Sequence, residues 1–344
     1  MNRSPARIAV AGAGLVGRRH AELVAKHAVL AGIADPASAG REVADHLGAP
    51  HFRDLASLLD RTPVDGVIVA TPNQRHEADA VECIRRGIAV LVEKPISGDA
   101  ASGQRIVRAA MDNDVPLLVG HHRRYNPIIR AARDAIVMGK LGRLVAVNAV
   151  CWFHKPASYF DVEWRRKPGA GPVFINLIHD VELLLHLCGP VSRVQAAESN
   201  AIRGNEVEDT ACAILTFANG ALGTVSVSDT GAAPWSWELT AAENPAYPET
   251  GQSTYLFSGT EGSLSVPDLK HWRYDGGADW MTPIRDEVLE VSPADPLIEQ
   301  IRHFGDVALK RAEPIVDGNA GLAALKVIEA IKTAAASAEP VILA

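Results

Sequence analysis

Along the first third of the chain, short unbroken apolar runs alternate with longer stretches in which apolar residues recur every three or four positions. The runs are Ile8–Ala11, Val29–Ala34, Gly66–Ala70, Ala89–Val92 and Leu117–Val119. Between them lie amphipathic stretches around Leu15–Lys26, Ser38–Leu47, Gln74–Arg86 and Gly98–Asp112. Short apolar runs suit strands buried on both faces, and the longer period suits helices packed on one side. Their regular alternation predicts a doubly wound parallel sheet with helices on both faces. Ligands of such sheets bind beyond the C-terminal strand ends. The polar punctuation falls there: Gly12 and Gly14, Asp35, Thr71-Pro72-Asn73, Glu93-Lys94-Pro95 and His121-His122.

After Asn126-Pro127 the pattern changes. A helix at Ile128–Met138, a strand at Leu144–Val150, a polar and aromatic loop to Gly171 and a helix at Val173–Leu187 are predicted. Strands follow at Arg193–Ala197, Ala211–Phe217, Ala221–Ser226 and Ser236–Thr240. Strands in series joined by turns such as Ala218-Asn219-Gly220 predict an open, mostly antiparallel sheet. Asn244–Thr250 and Leu264–Trp272 suit surface loops, and helices at Pro296–Ala312 and Gly318–Ser337 close the chain. The fold class is α/β, with a boundary expected between residues 125 and 126, so that 126–344 form the second domain.

Bulk properties narrow the function. A chain of 344 residues exceeds one ordinary core. A net charge of −7 gives no support for nucleic-acid binding, which usually needs a basic face. The four cysteines, Cys83, Cys151, Cys188 and Cys212, lie far apart, which argues against a disulfide framework or a metal site and for reduced, mostly buried thiols. The strand at Ile8 begins almost at once, without a preceding apolar leader, and no apolar stretch reaches membrane-spanning length. A cytoplasmic protein with no membrane partner is expected.

Gly12-Ala13-Gly14-Leu15-Val16-Gly17 follows a strand and opens a helix, the context in which this spacing carries meaning. Gly12 permits the tight turn, Gly14 lets the backbone approach a pyrophosphate, and Gly17 allows close packing of helix on strand. Free N–H groups at the helix start, including those of Leu15 and Val16, then face the phosphates. Asp35, ending the second apolar run, suits a ribose diol and repels a 2′-phosphate, so NAD is expected ahead of NADP. Lys94 follows a buried strand at the edge where the cofactor's reactive end would lie. An ammonium there can hold a substrate oxygen or, with its pKa lowered by burial, help move a proton. His179 lies in an apolar helix with Ile175 one turn before it and Asn176 on the neighbouring face. The residues alone leave it open between catalysis and packing. Aromatic and basic residues from Trp152 to Lys167, including His154, suit a sugar ring or a sugar acid; ordinary surface charge is the plainer reading.

These segments resemble the Gfo/Idh/MocA family of NAD(P)-dependent sugar and polyol oxidoreductases. The likeness runs through GAGLVG, ATPNQRH (Ala70–His76), EKP, RRYNP (Arg123–Pro127) and EWRRKPGAGPVFINLIHDVE (Glu163–Glu182). It continues through EDTACAILTFANGALGT (Glu208–Thr224), SGTEGSL (Ser258–Leu264) and GLAALKVIEAI (Gly321–Ile331). The resemblance implies an N-terminal NAD-binding Rossmann domain over 1–125 and a substrate-binding α/β domain over 126–344, whose open sheet often serves homo-oligomerisation. It implies that Lys94 and His179 lie around the reacting carbon as catalytic groups, with Asn176 left to bind substrate or orient the imidazole. The residues themselves leave the His121–Tyr125 segment open between cofactor, substrate (through Tyr125) and a polar hinge, and offer His154 and Arg165 of the basic loop to substrate. The resemblance further implies cofactor contacts from Thr71, Pro72, Asn73, His76, Glu93, Lys94, His122, Trp164 and Arg165. One departure stands out: Ile175 occupies the position of an aspartate four residues before the histidine, while Glu182 keeps a second acidic position. Which of Lys94 and His179 accepts the proton stays open. So do two rivals, a glycoside hydrolase or epimerase-like enzyme using NAD transiently and a dinucleotide-binding sensor.

Overall fold

The computed structural model describes residues 4–343. The chain divides into two units: the first runs to Tyr125 and takes in Ala294–Leu325, and the second comprises Asn126–Pro293 and the chain from Lys326.

In the first unit, β1 (Arg7–Ala11), α1 (Leu15–His27), β2 (Val29–Ala34), α2 (Ser38–Leu47), β3 (His51–Phe52), α3 (Leu55–Arg61) and β4 (Gly66–Val69) follow in order. Then come α4 (His76–Arg85), β5 (Ala89–Val92), α5 (Ala100–Asp112) and β6 (Leu117–Val119). The six strands are parallel in the order β3-β2-β1-β4-β5-β6. Strand order reverses at β1, which places the ligand crevice at its C-terminal end. Ile8, Val10, Ile33, Ile68 and Leu91 are fully buried in the sheet, which is why these runs carry no alternation. β3 and α3 escape the hydrophobic pattern because the strand has only two residues and the helix seven. Asp54 caps that short helix by accepting the Ser57 N–H at 2.7 Å.

The second unit contains α6 (Pro127–Val137), β7 (Leu144–Trp152), a wide π-helical turn at Val173–Leu177 and α7 (Ile178–Cys188). It continues with β8 (Val191–Ser199), β9 (Thr210–Phe217), β10 (Leu222–Ser228), α8 (Trp237–Thr240), β11 (Tyr255–Gly259), β12 (Gly262–Val266), β13 (Lys270–Tyr274) and β14 (Ile284–Val288). After α9 (Pro296–Ala308), which belongs to the first unit, α10 (Gly318–Ser337) and β15 (Val341–Ile342) end the chain. The nine strands form one sheet in the order β14-β13-β12-β11-β7-β10-β9-β8-β15, antiparallel except for the β7/β10 pair. Among the described residues no helix is long and apolar enough to cross a membrane.

Three expectations are corrected. Residues 294–325 pack with the first unit, because Ile301, Phe304 and Val307 of α9 are fully buried in the cluster built around Ile8 and Ile68. Gly66 leaves room for the Phe304 ring, whose Cζ would lie 2.8 Å from a Cβ there. Ser236–Thr240 forms a helical turn rather than a strand; Trp237 and Thr240 are both buried and three residues apart, and the Thr240 hydroxyl donates to the Ser236 carbonyl at 2.8 Å. Leu264–Trp272 is a strand pair rather than a loop. Leu264, Ser265 and Val266 are consecutively buried and so hide the period of two. β14 carries Arg285, Asp286 and Glu287 on an exposed edge, where charge is the usual protection of unpaired strand groups.

Candidate functional site

The C-terminal end of β1 is shaped by its glycines. Gly12 has φ +88°, and a Cβ there would lie 2.5 Å from the Ala70 carbonyl oxygen. A Cβ on Gly17 would lie 2.0 Å from the Gly12 oxygen, so α1 can cross the turn this closely only without a side chain. Gly14 differs: nothing lies within 4 Å of its Cβ position. That open side coincides with the N-terminus of α1, whose first turn has no acidic residue and no side-chain cap. Its N–H groups are therefore available to an anion. Leu15 is 91% exposed and Val16 about half. Asp35 joins this end from β2: its carboxylate accepts the Ala13 N–H at 2.7 Å and the Ala37 N–H at 2.8 Å. Gly40 gives it room, since a Cβ there would lie 2.4 Å from the Asp35 Cβ. An open glycine, an uncapped helix start and a held carboxylate fit a dinucleotide. Asp35→Ser is expected to weaken NADH binding about tenfold and to narrow discrimination against NADPH, measured by titrating both cofactors.

The loop after β4 is tied to the loop after β5. The Thr71 hydroxyl donates to Asp79 at 2.8 Å, and Arg75 pairs with the same carboxylate at 2.7 Å. Pro72 is exposed and Asn73 half-buried at the start of a short helical turn. His76, expected to contact the cofactor, opens α4. Its imidazole is buried between the Thr71 carbonyl at 2.8 Å and the Pro95 carbonyl at 3.0 Å. Both ring nitrogens meet main chain, so the residue joins two loops rather than presenting polar atoms to a ligand.

Glu93 likewise turns inward. Its Oε1 accepts from His20 Nε2 at 2.6 Å, and its Oε2 accepts the Lys94 N–H at 3.1 Å. Gly120 makes this possible, because a Cβ there would lie 2.7 Å from Oε1. Burial alone would raise the Glu93 carboxyl, but the hydrogen bond and charge of His20, with Lys94 and His122, hold it down to about 2. The clamp acts on the main chain of Lys94, the half-buried residue that opens the cis Lys94–Pro95 bond. His122 begins a short helical turn ending at Tyr125. Tyr125, expected to meet substrate, is buried with its hydroxyl against His303 Nδ1 at 2.8 Å in the same unit.

His121 carries a testable pH effect. Burial, with Lys94 and Arg124 nearby, pushes its imidazole down to about 3. The unfolded ring titrates near ~6.5. The neutral buried ring therefore contributes stability above the unfolded value, and this is lost as pH falls from about 6.5 towards 3. Melting temperature followed across that range is expected to fall with acid, less steeply in His121→Asn.

In the second unit, His154, Trp164 and Arg165 share the loop after β7. Arg165 stacks on Tyr159 with its guanidinium carbon 4.1 Å from the ring centre, and donates to the Tyr159 carbonyl at 2.8 Å. Trp164 is 56% exposed beside it. His154 is exposed, with Nδ1 3.2 Å from the Thr230 carbonyl. Asn176 and His179 lie on the segment that opens α7. The π turn at Val173–Leu177 corrects the expectation of one continuous α-helix, so the four-residue spacing no longer sets Ile175 and His179 on one face. His179 is buried, and Asn176 Oδ1 is buried with no hydrogen-bond partner among the described residues. Such an atom is suited to a substrate hydroxyl. The Tyr255 hydroxyl donates to the fully buried Asp180, fixing α7 to β11. Glu182 is buried in the same helix. His20, Gly120 and Asp180 were missed by sequence reading; a histidine on the inward face of α1 was the one available signal.

A glycine-shaped dinucleotide crevice with a clamped lysine at the next strand end but one defines the class: a nicotinamide-dependent oxidoreductase. Residues 6–121 match the oxidoreductase family model with an NAD-binding Rossmann fold, and residues 129–265 match the Gfo/Idh/MocA C-terminal domain. The chain belongs to the Gfo/Idh/MocA family, NAD-dependent oxidoreductases of sugar and polyol alcohols. It is 28% identical over 231 residues to the rhizopine catabolism protein MocA of Rhizobium meliloti, covering 64% of this chain and 70% of that one. It is 26% identical over 234 residues to the myo-inositol 2-dehydrogenase of Thermotoga maritima, covering 64% and 68%. The crystal structure of the WlbA dehydrogenase from Bordetella pertussis, in complex with NADH and UDP-GlcNAcA, superposes with a TM-score of 0.80 at 26% identity over 99% of each chain.

Proposed function

We propose that this protein oxidises a secondary alcohol of a cyclic polyol, sugar or sugar acid, with His179 and Lys94 as its catalytic groups. Bound NAD supplies the hydride acceptor. Gly12, Gly14 and the α1 N-terminus bind the phosphates, and Asp35 binds the ribose diol. His179 takes the hydroxyl proton, and the Lys94 ammonium holds the oxygen on which negative charge develops. Asn176 directs its buried amide oxygen to a second hydroxyl. Trp164 and Arg165 border the cofactor, with His154 towards substrate. The observation that carries the reading is the Glu93 clamp on Lys94 beside the glycine-shaped crevice. The test is NADH formation across a panel of inositols, sugars and sugar acids. Turnover of one class supports it; tight NADH binding with no turnover anywhere would favour a sensor, consistent with Ile175 in place of the acid.

The outer face of the second sheet is proposed to bind a second copy of the chain. Ile214, Leu222 and Leu256 project from it beside Asn148, Thr224 and Trp272, and no charged side chain lines the two hollows there. Depletion of charge from an apolar patch is the composition of an interface centre. Light scattering is expected to give a dimer or tetramer and Leu256→Lys a smaller species. A monomeric parent chain would refute it. A cytoplasmic setting suits four cysteines of which none forms a disulfide among the described residues.

A further inference from the structure

We infer that Glu208 is a positioning residue for the segment bearing Asn176 and His179, an inference that rests on the role given to His179 above. That segment opens without a cap of its own. Pro172 offers no side-chain acceptor, and the N–H groups of Phe174 and Ile175 both turn back on the Gly171 carbonyl at 3.1 and 3.0 Å. The Val173 N–H is satisfied from outside the helix. Glu208, only 5% exposed, accepts it through Oε1 at 3.0 Å.

The other carboxylate oxygen is held by Lys332 Nζ at 2.6 Å, and the same ammonium binds Glu198 at 2.6 Å. Burial alone would lower the Lys332 ammonium, but the two carboxylates hold it above its ordinary value. The buried acid is thus charge-balanced as well as hydrogen-bonded, the condition under which a buried carboxylate is tolerated. It also lies at a helix N-terminus, where negative charge is favoured.

Gly171 completes the seat. A Cβ there would lie 2.1 Å from Glu208 Oε1. The carboxylate therefore occupies the volume of a missing side chain, and its place is set from three directions: the Val173 N–H, the Lys332 ammonium and the Gly171 main chain. Asn176 and His179 follow within two turns of this anchor. Displacing a reacting group by about 1 Å can cost about a hundredfold in rate. A π turn depending on one distant carboxylate is a place where that displacement would begin.

Two variants release the anchor by different routes. Glu208→Ala removes the acceptor; Gly171→Ala keeps Glu208 but drives its carboxylate out. Both are expected to lower kcat by about 10- to 100-fold with NADH affinity kept within about threefold. Without cofactor or substrate, amide exchange at 173–177 is expected to rise about tenfold while β1–β6 keep their protection. The double variant Glu208→Gln with Lys332→Met retains an acceptor without needing a cation, and is expected to hold kcat within about threefold of the parent. Where Glu208→Ala does not fold, Gly171→Ala and the double variant decide. A folded Glu208→Ala or Gly171→Ala with parental kcat and parental exchange would overturn the inference, as would a double variant as slow as Glu208→Ala. His179→Ala is measured alongside. If it retains activity, the assignment of His179 fails, while the exchange measurement still decides the role of Glu208.

Discussion

Lys94→Ala is expected to lower kcat by about 10³-fold while leaving NADH affinity within about threefold. The asymmetry follows from where the contacts lie. The groups suited to the dinucleotide phosphates and ribose sit at the ends of β1 and β2, on Gly12, Gly14, the α1 N-terminus and Asp35. Lys94 follows β5, its main chain held by the Glu93 carboxylate. In the proposed role, removing its ammonium removes a donor to the reacting oxygen rather than a share of cofactor binding. Lys94→Arg is expected to recover little, because a planar guanidinium cannot occupy the position of a compact ammonium. Steady-state kinetics on the best substrate, with NADH titration by fluorescence, separates the two quantities. A Lys94→Ala protein within tenfold of the parent in kcat would exclude the assignment.

His20→Leu is expected to destabilise the folded protein by about 3–5 kcal/mol, read from urea unfolding. Glu93 and His20 are both buried and 2.6 Å apart, with the imidazole Nε2 donating to the carboxylate. Leucine removes that donor and leaves a buried charge whose Oε1 has lost its hydrogen bond, while the Lys94 N–H stays on the other oxygen. Glu93→Gln is expected to cost only about 1 kcal/mol, because an amide oxygen still accepts from His20 and no charge is stranded. Acid should find the same weakness. The folded Glu93 carboxyl titrates near 2 against an ordinary 4.5, so its contribution is present above about 4.5 and disappears as pH falls through 2. A His20→Leu protein with parental urea midpoint would show that the buried pair contributes nothing net.

The parallel sheet was legible because strands buried on both faces leave unbroken apolar runs, and Gly12, Gly17 and Asp35 were legible because each answers a local geometric demand. What lay hidden depends on distance along the chain. Glu208 meets Val173 across 35 residues and Lys332 across 124, and no local pattern pairs them. His76 was expected to touch the cofactor through the family resemblance; the carbonyls of Thr71 and Pro95, which no local pattern pairs with it, show both ring nitrogens engaged by main chain. The π turn was unreadable for another reason. Val173–Leu177 has the apolar content of an ordinary helix, and the contact it makes at its start, the Val173 N–H on the Glu208 carboxylate, comes from a residue far along the chain. β14, being charged and exposed, lacks the apolar signal that strand recognition requires.

The return of residues 294–325 to the first unit imposes an order on synthesis. A ribosome that has released Tyr125 has made all six parallel strands, yet Ile301, Phe304 and Val307 of α9, which share the cluster of Ile8 and Ile68, are still unmade. At about 5–20 residues per second, the intervening chain takes roughly 10–40 s to appear. Through that interval the nascent nucleotide-binding unit carries an uncovered apolar face, the kind of surface that chaperones hold. A stop codon placed after Tyr125 would make the exposure permanent, so the covered form of this unit is a late product of translation.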